Sequence, residues 1–375
     1  MTYKKISRKA KNKFIELLVR VSESFSMRGR HHTRQSRHFL VISTTGVGDT
    51  LLGTPAIRAL KETYPGCRVC VLTSPAGYEV LKENPSIDRL FVFKKGWSNL
   101  FLLPPLLTSL RLEKFESVYI FHTSDRIIFP LAYLTGAAEI AGIEGQSKDL
   151  DFILTQKIKS PDNIHGIEAR LNLVNLSGAK TPDKTLSVYL TDKERETAGK
   201  FLNNQGLNEG PLLAGLQPGA QKPFKCWPAK NFIELGNALR EKFKCGIVIT
   251  GSPDEKILAD GIASKVKGAI SVAGRLSLRE TAAVIKKLNI FITNDTGPMH
   301  IAFAVKTPAI ALFCPTDPAL HGPYHAKHVS VIRKPVPCCP CAGKNCLDPV
   351  CMEQITPEEV LSAVESVLAI NKAKT

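Results

Sequence analysis

The chain has no apolar run of the roughly 20 residues that cross a bilayer. The nearest, LFLLPPLLTSL at 100–110, is broken by two prolines. Its N-terminus has no apolar h-region and no small-residue cleavage site, so no secretory signal peptide is expected. Aromatic residues make up only 7%, and no basic stripe interleaved with them continues into the body, so no specific nucleic-acid partner is expected. The first strand–helix corner lacks G-x-G-x-x-G: Gly46 and Gly48 are followed by Asp49, Thr50 and Leu51, so a nicotinamide-dinucleotide fingerprint is missing. Internal repeats and low-complexity segments are absent as well.

What is abundant is positive charge. The net charge is +16, of which residues 1–38 carry +9 through eleven Lys/Arg against Glu16 and Glu23. Within this basic arm, residues 1–37, Phe14, Ile15, Leu17, Leu18 and Val21 recur at helical spacing between lysines. The pattern suits a helix lying on an anionic membrane surface, and equally a solvated arm. The remaining chain is long enough for two domains.

After the arm, strand and helix patterns alternate. HFLVIST, CRVCVLTS, RLFVFKK and SVYIFHTS read as strands, and TPAIRALKETYP and AGYEVLKENP as helices. The same order restarts at LLAGLQPGA and runs through PAKNFIELGNALREKF, CGIVITGS, DEKILADGIASKV, SLRETAAVIKKL, IFITNDTG, PMHIAFAVK and PAIALFCP. Repeated β-α units imply parallel sheets covered by helices. The expected fold is α/β, two Rossmann-like domains facing each other across a cleft. The expected boundaries are 38–185 and 186–355, with a C-terminal helix over 356–375 opened by Thr356-Pro357. The polar stretch 178–210 reads as the connection between the halves.

Four corners carry polar motifs where α/β proteins hold ligands. In STTGVGDTLLGTP, Gly46 and Gly48 let the backbone bend where a side chain would clash. Asp49 then suits either a helix cap or a proton acceptor. In PGAQKPFKCWPAKNF, Lys222 or Lys225 offers charge to a diphosphate. In ITGSPDEK, Asp254 or Glu255 suits ribose hydroxyls or a helix cap. In NDTGPMHIAFAVKTPAIALFCPTDP, Asp295-Thr296-Gly297 ends a strand and opens a helix whose free amides suit an anion. FHTSDR adds His122 and Arg126 past another strand end, whereas His165 and Arg170 in NIHGIEARLNL read as surface or packing residues.

Taken in order, GDTLLGTPAIRALKETYP, PGAQKPFKCWP, TGSPDEK and NDTGPMHIAFAVKTPAIALFCPTDPALHGPY resemble the glycosyltransferase family 9 proteins, the ADP-heptose:lipopolysaccharide heptosyltransferases, from about Phe39 to the C-terminal helix. The resemblance implies a GT-B fold, an acceptor-binding first domain, a nucleotide-sugar-binding second domain, and inverting transfer that requires no metal. It implies an ADP-heptose donor and a lipopolysaccharide core or lipid A acceptor. The expected place of work is cytoplasmic, peripheral at the inner face of the inner membrane. By the same resemblance Asp49 is the general base. Lys225, Glu255, Asp295, Thr296, Gly297, Met299 and His300 bind the donor. Thr45, Gly46, Gly48, His122 and Arg126 are acceptor-side candidates.

Ten cysteines remain to be placed. Cys338, Cys341, Cys346 and Cys351 are spaced compatibly with a structural zinc or an iron–sulfur cluster, although not as a regular pair of C-x2-C knuckles. Reduced surface thiols are the alternative. Cys67, Cys70, Cys226 and Cys245 read as small buried hydrophobes.

Overall fold

The computed structural model describes residues 37–96, 101–159, 163–207, 212–314, 316–324, 326, 328–334, 336–338, 346 and 348–372. The basic arm up to residue 36, and Cys339 and Cys341 of the cysteine-rich segment, lie outside the described residues. The chain divides into two compact units between Lys184 and Thr185.

In the first unit, β1 (His38–Ser43), β2 (Arg68–Thr73), β3 (Arg89–Val92), β4 (Ser117–His122), β5 (Glu139–Ile143) and β6 (Gln156–Ile158) form one parallel sheet in the order β3-β2-β1-β4-β5-β6. The inner strands are apolar at almost every position because helices cover both faces, and Phe39, Leu40, Val41 and Ile42 are all fully buried. The order reverses between β1 and β4, so the carboxyl ends of these two strands form the switch point where such sheets bind ligands. A register shift after Ile42 sets Ser43 beside His122. That brings the His122 side chain to the corner where β1 ends.

In the second unit, β7 (Leu213–Gln217), β8 (Gly246–Ile249), β9 (Ile270–Ser271), β10 (Ile290–Asn294), β11 (Ala309–Leu312) and β12 (Val329–Ile332) repeat the same arrangement, in the order β12-β11-β10-β7-β8-β9 and again all parallel. Its switch point lies at the ends of β7 and β10. The C-terminal helix Pro357–Lys372 buries Val360, Val364, Val367 and Leu368 in this unit's core beside Trp227 and Phe232.

The stretch 178–210 is more than a connection. Asp192–Asn204 is a helix of the second unit, opened by a capping box between Thr191 and Glu194. Its anchor is electrostatic, which is why apolar periodicity did not reveal it. The fully buried Arg279 binds Glu194 through both Nε and Nη2, and also donates to the Tyr189 carbonyl. Burial alone would raise the pKa of Glu194, but the bonds from Arg279 and Thr191 outweigh it and pull the value down to about 2. Among the described residues no helix is long and apolar enough to cross a membrane.

Candidate active site

The first switch point is built by the turn after β1. Thr44 ties it to β4, its amide donating to the His122 carbonyl at 3.0 Å and its hydroxyl meeting that of Thr123 at 2.8 Å. Gly46 caps the short helix Val47–Leu51 without a side chain, and Asp49 is the third residue of that helix. Gly46 has extended backbone geometry, and an added Cβ would meet nothing within 4 Å. The expectation of a clash there is therefore corrected: what the missing side chain leaves is open surface at the corner.

The Asp49 carboxylate faces an imidazole and a guanidinium. Oδ2 lies 3.5 Å from His122 Nδ1, and Oδ1 lies 3.5 Å from Arg170 Nη2. His122 Nδ1 is also 3.0 Å from the Thr45 hydroxyl. Arg170 enters from the helix Gly166–Asn175, whose N-cap His165 accepts from the Ile167 amide. Its side chain is only 6% exposed and donates to the Gly166 carbonyl at 2.7 Å. Burial lowers the pKa of this guanidinium, and the charge of Asp49 opposes the shift. Arg170 is thus the residue that sequence reasoning set aside as packing. Only its spacing four residues after Gly166, the first residue of the helix, hinted that the side chain turns back toward the helix N-terminus. Arg126 sits half-buried in the turn between β4 and the helix Ile128–Leu134.

The second switch point is organised by Asn294, at the end of β10. Its amide group donates to the carbonyls of Gln217 and Pro218, and its oxygen accepts from the Trp227 amide at 3.0 Å. Trp227 is anchored in turn by its indole N–H, which donates to the Ile355 carbonyl at 2.9 Å, and by an edge-on contact with Phe232. The Lys-Cys-Trp-Pro segment is therefore held by a core tryptophan, and Lys225 is delivered to Asp295 with an Nζ–Oδ2 distance of 2.6 Å. Thr316, from the Thr-Asp-Pro turn after β11, donates to the same oxygen. Burial pushes the Asp295 pKa up, but Lys225, Thr316 and the charge of His300 together hold it below the usual aspartate range.

Thr296 and Gly297 then open the helix Gly297–Ala304 half-exposed, while Met299 is fully buried and His300 nearly so. Their side chains belong to the floor of this corner rather than its surface. Glu255 stands beside it, accepting from the Ser252 amide at 2.8 Å and from Gln217 Nε2 at 3.3 Å. Thr250 donates to Gln217 Oε1 at 2.7 Å and so fixes the amide that holds the acid. The Glu255 carboxyl packs flat on Gly219: a Cβ there would lie 2.1 Å from Oε1.

Among the described residues the cysteines do not assemble a metal-binding cluster. Cys338 is exposed, Cys346 half-exposed and Cys351 buried, Cys341 lies outside the described residues, and no group of three or more metal-ligating side chains occurs among the described residues.

Two doubly wound parallel sheets, each with a charged pair at its switch point, are the frame of a GT-B group transferase. Residues 110–351 match glycosyltransferase family 9 (heptosyltransferase), and the chain belongs to this family of glycosyltransferases. It is 28% identical to lipopolysaccharide heptosyltransferase 3 of Escherichia coli strain K12 over 289 residues, 74% of this chain and 82% of that protein. Its fold is similar to the crystal structure of a family 9 glycosyl transferase from Veillonella parvula DSM 2008, with a TM-score of 0.78 at 23% identity, covering 89% of this chain and 97% of that one. It is also similar to E. coli ADP-heptose LPS heptosyltransferase II, with a TM-score of 0.74 at 20% identity, covering 89% and 99%.

Proposed function

We propose that the protein transfers heptose from ADP-heptose to an inner-core acceptor of lipopolysaccharide, inverting the anomeric centre and using no metal ion. One observation carries the reading. One switch point holds a partly exposed carboxylate faced by the Arg170 guanidinium and the His122 imidazole. The other holds a lysine seated on a buried acid at the start of a helix. The family and the heptosyltransferase relatives supply the substrate class.

In this mechanism Asp49 takes the proton of the acceptor hydroxyl as its oxygen attacks the anomeric carbon. Arg170 holds the carboxylate in position, and His122, Thr45, Gly46, Gly48 and Arg126 border the acceptor. The bond to the diphosphate breaks on the opposite face, and its electron pair leaves with ADP. Lys225 keeps N–H donors for that growing charge beyond the one given to Asp295. The Gly297 amide and Thr296 hydroxyl add to it, strengthening as charge develops. Glu255 takes the ribose hydroxyls, with Met299 and His300 packed beneath. The enzyme works at the inner face of the inner membrane, where the basic arm of residues 1–37 is drawn to anionic lipid.

The test is ADP release from purified protein given ADP-heptose and deacylated core in the presence of EDTA, with the product anomer read by NMR. Asp49→Ala should bind ADP-heptose with unchanged affinity and transfer nothing. Near-normal turnover in that variant removes Asp49 as the base.

A further inference from the structure

The helix Leu103–Leu112 of the first unit and the turn before it expose large apolar side chains beside the polar Thr108 and Arg111. Leu110 is fully buried, and Leu103, Leu106 and Leu107 pack partly against the core. On the outer side Phe101 is 71% and Leu112 75% exposed, with Leu102, Pro104 and Pro105 exposed between them. The hydroxyls on this helix add little polarity, because Thr108 donates to the Pro104 carbonyl and Ser109 to the Pro105 carbonyl. A surface helix ordinarily turns polar residues outward, and a group of exposed large apolar side chains marks a contact surface.

Charge identifies the cover. Lys94, Lys95 and Lys114, which flank this segment in the chain, and Arg111 within it are all exposed. The only acid from 93 to 114 is Glu113, which is buried and held by Arg68 at 2.9 Å and Arg89 at 2.7 Å. A protein partner would have to desolvate or neutralise four cations, and lysine is depleted from protein interfaces. Anionic headgroups meet those cations while the acyl boundary accepts the apolar side chains. Lys95 also bonds the Ser124 hydroxyl two residues beyond His122, so the basic rim begins beside the Asp49 corner.

We infer that the 101–112 face, rimmed by Lys94, Lys95, Arg111 and Lys114, docks on an anionic lipid bilayer. The choice of a bilayer as occupant rests partly on the proposed lipid-borne acceptor. This face is separate in sequence from the basic arm, and docking there brings the acceptor corner to the surface where a lipid-anchored sugar would stand.

The test is flotation of the full chain with phosphatidylethanolamine vesicles containing phosphatidylglycerol, against vesicles of phosphatidylcholine alone. Phe101→Ser with Leu112→Ser should weaken partitioning on the anionic vesicles roughly tenfold. Lys94→Gln with Arg111→Gln should weaken it about tenfold on anionic vesicles and leave the slight binding to phosphatidylcholine unchanged. Both variants should keep the wild-type melting temperature and the wild-type ADP release with deacylated acceptor. Wild-type flotation of the serine variant overturns the inference. So does a dimer in light scattering that the serine variant converts to monomer, since a second copy would then be the cover. Flotation needs no sugar transfer, so a chain that docks through this face but never releases ADP refutes the proposed function and leaves the docking surface standing.

Discussion

Replacing Arg170 with methionine tests the acceptor corner most directly. The side chain is 6% exposed and its Nη2 stands 3.5 Å from Asp49 Oδ1. At that distance and an effective dielectric near 20, the Coulomb attraction is about 5 kcal/mol before screening. The Asp49 side chain is 31% exposed, so solvent removes much of this. About 1.5 to 3 kcal/mol of positioning should survive, which is a fall of roughly ten- to a hundredfold in kcat. Methionine fills the space of the arginine stem and leaves no buried charge behind, so the melting temperature should move little. Donor affinity should hold, because Arg170 and the donor corner belong to different units. The assay is steady-state ADP release alongside calorimetric titration with ADP-heptose, and Arg170→Lys should fall between wild type and Met. A methionine variant with kcat within twofold of wild type refutes the assignment, as does a loss confined to the donor KM.

In the proposed mechanism Lys225→Ala removes one donor to the leaving diphosphate and should cost about 2 to 4 kcal/mol of barrier, seen in kcat. Asp295 is ionised below the usual aspartate range when folded, so its pair with Lys225 is intact above about pH 4 and is lost only as the pH falls further. ADP-heptose affinity measured by calorimetry should therefore be flat from about pH 8 to about pH 5 and collapse only in stronger acid. Gly219→Ala sets a methyl against the Glu255 carboxyl and should displace it, raising the donor KM with kcat largely kept; an unchanged KM would detach Glu255 from the donor. Arg279→Met leaves Glu194 half of a broken buried pair and should cost about 3 kcal/mol in urea unfolding. Because the Glu194 pKa falls from 4.5 to about 2 on folding, its stabilisation is complete above about pH 4.5 and is lost between there and about pH 2. Glu194→Gln should flatten that limb of the melting profile.

The corners were legible in the sequence because the apolar strands there end abruptly in small polar residues, as at Ile42-Ser43 and Asn294-Asp295. The partners of those corners were not. Arg170 lies on a helix far along the chain, and only the parallel pairing of β1 with β4, with its register shift, brings His122 to Asp49. Trp227 stood plainly beside Lys225, but its service as an anchor depends on Asn294 and Ile355, which no local pattern connects. The short strands β5, β6, β9 and β12 lack the long apolar runs that marked the inner strands, and the helix Asp192–Asn204 carries too little apolar surface to announce itself. Ion pairs and register, unlike periodicity, leave no one-dimensional trace.

The two units share a strand order and each sets an aspartate against a cation, yet the two acids are suited to different tasks. Asp295 is 8% exposed, and its Oδ2 accepts from both Lys225 and Thr316. Protonating it would break both bonds and release the lysine, so it serves as a fixed counter-charge. Asp49 is 31% exposed, and its contacts with His122 and Arg170 run at 3.5 Å, longer than a hydrogen bond. The carboxylate stays partly exposed, and a hydroxyl can approach across the open face left by Gly46. A proton acceptor has to be reachable and able to change charge without dismantling its surroundings. Of the two aspartates Asp49 is the more exposed, which supports the proposal that it takes the acceptor's proton while the second unit's acid holds Lys225 for the leaving diphosphate.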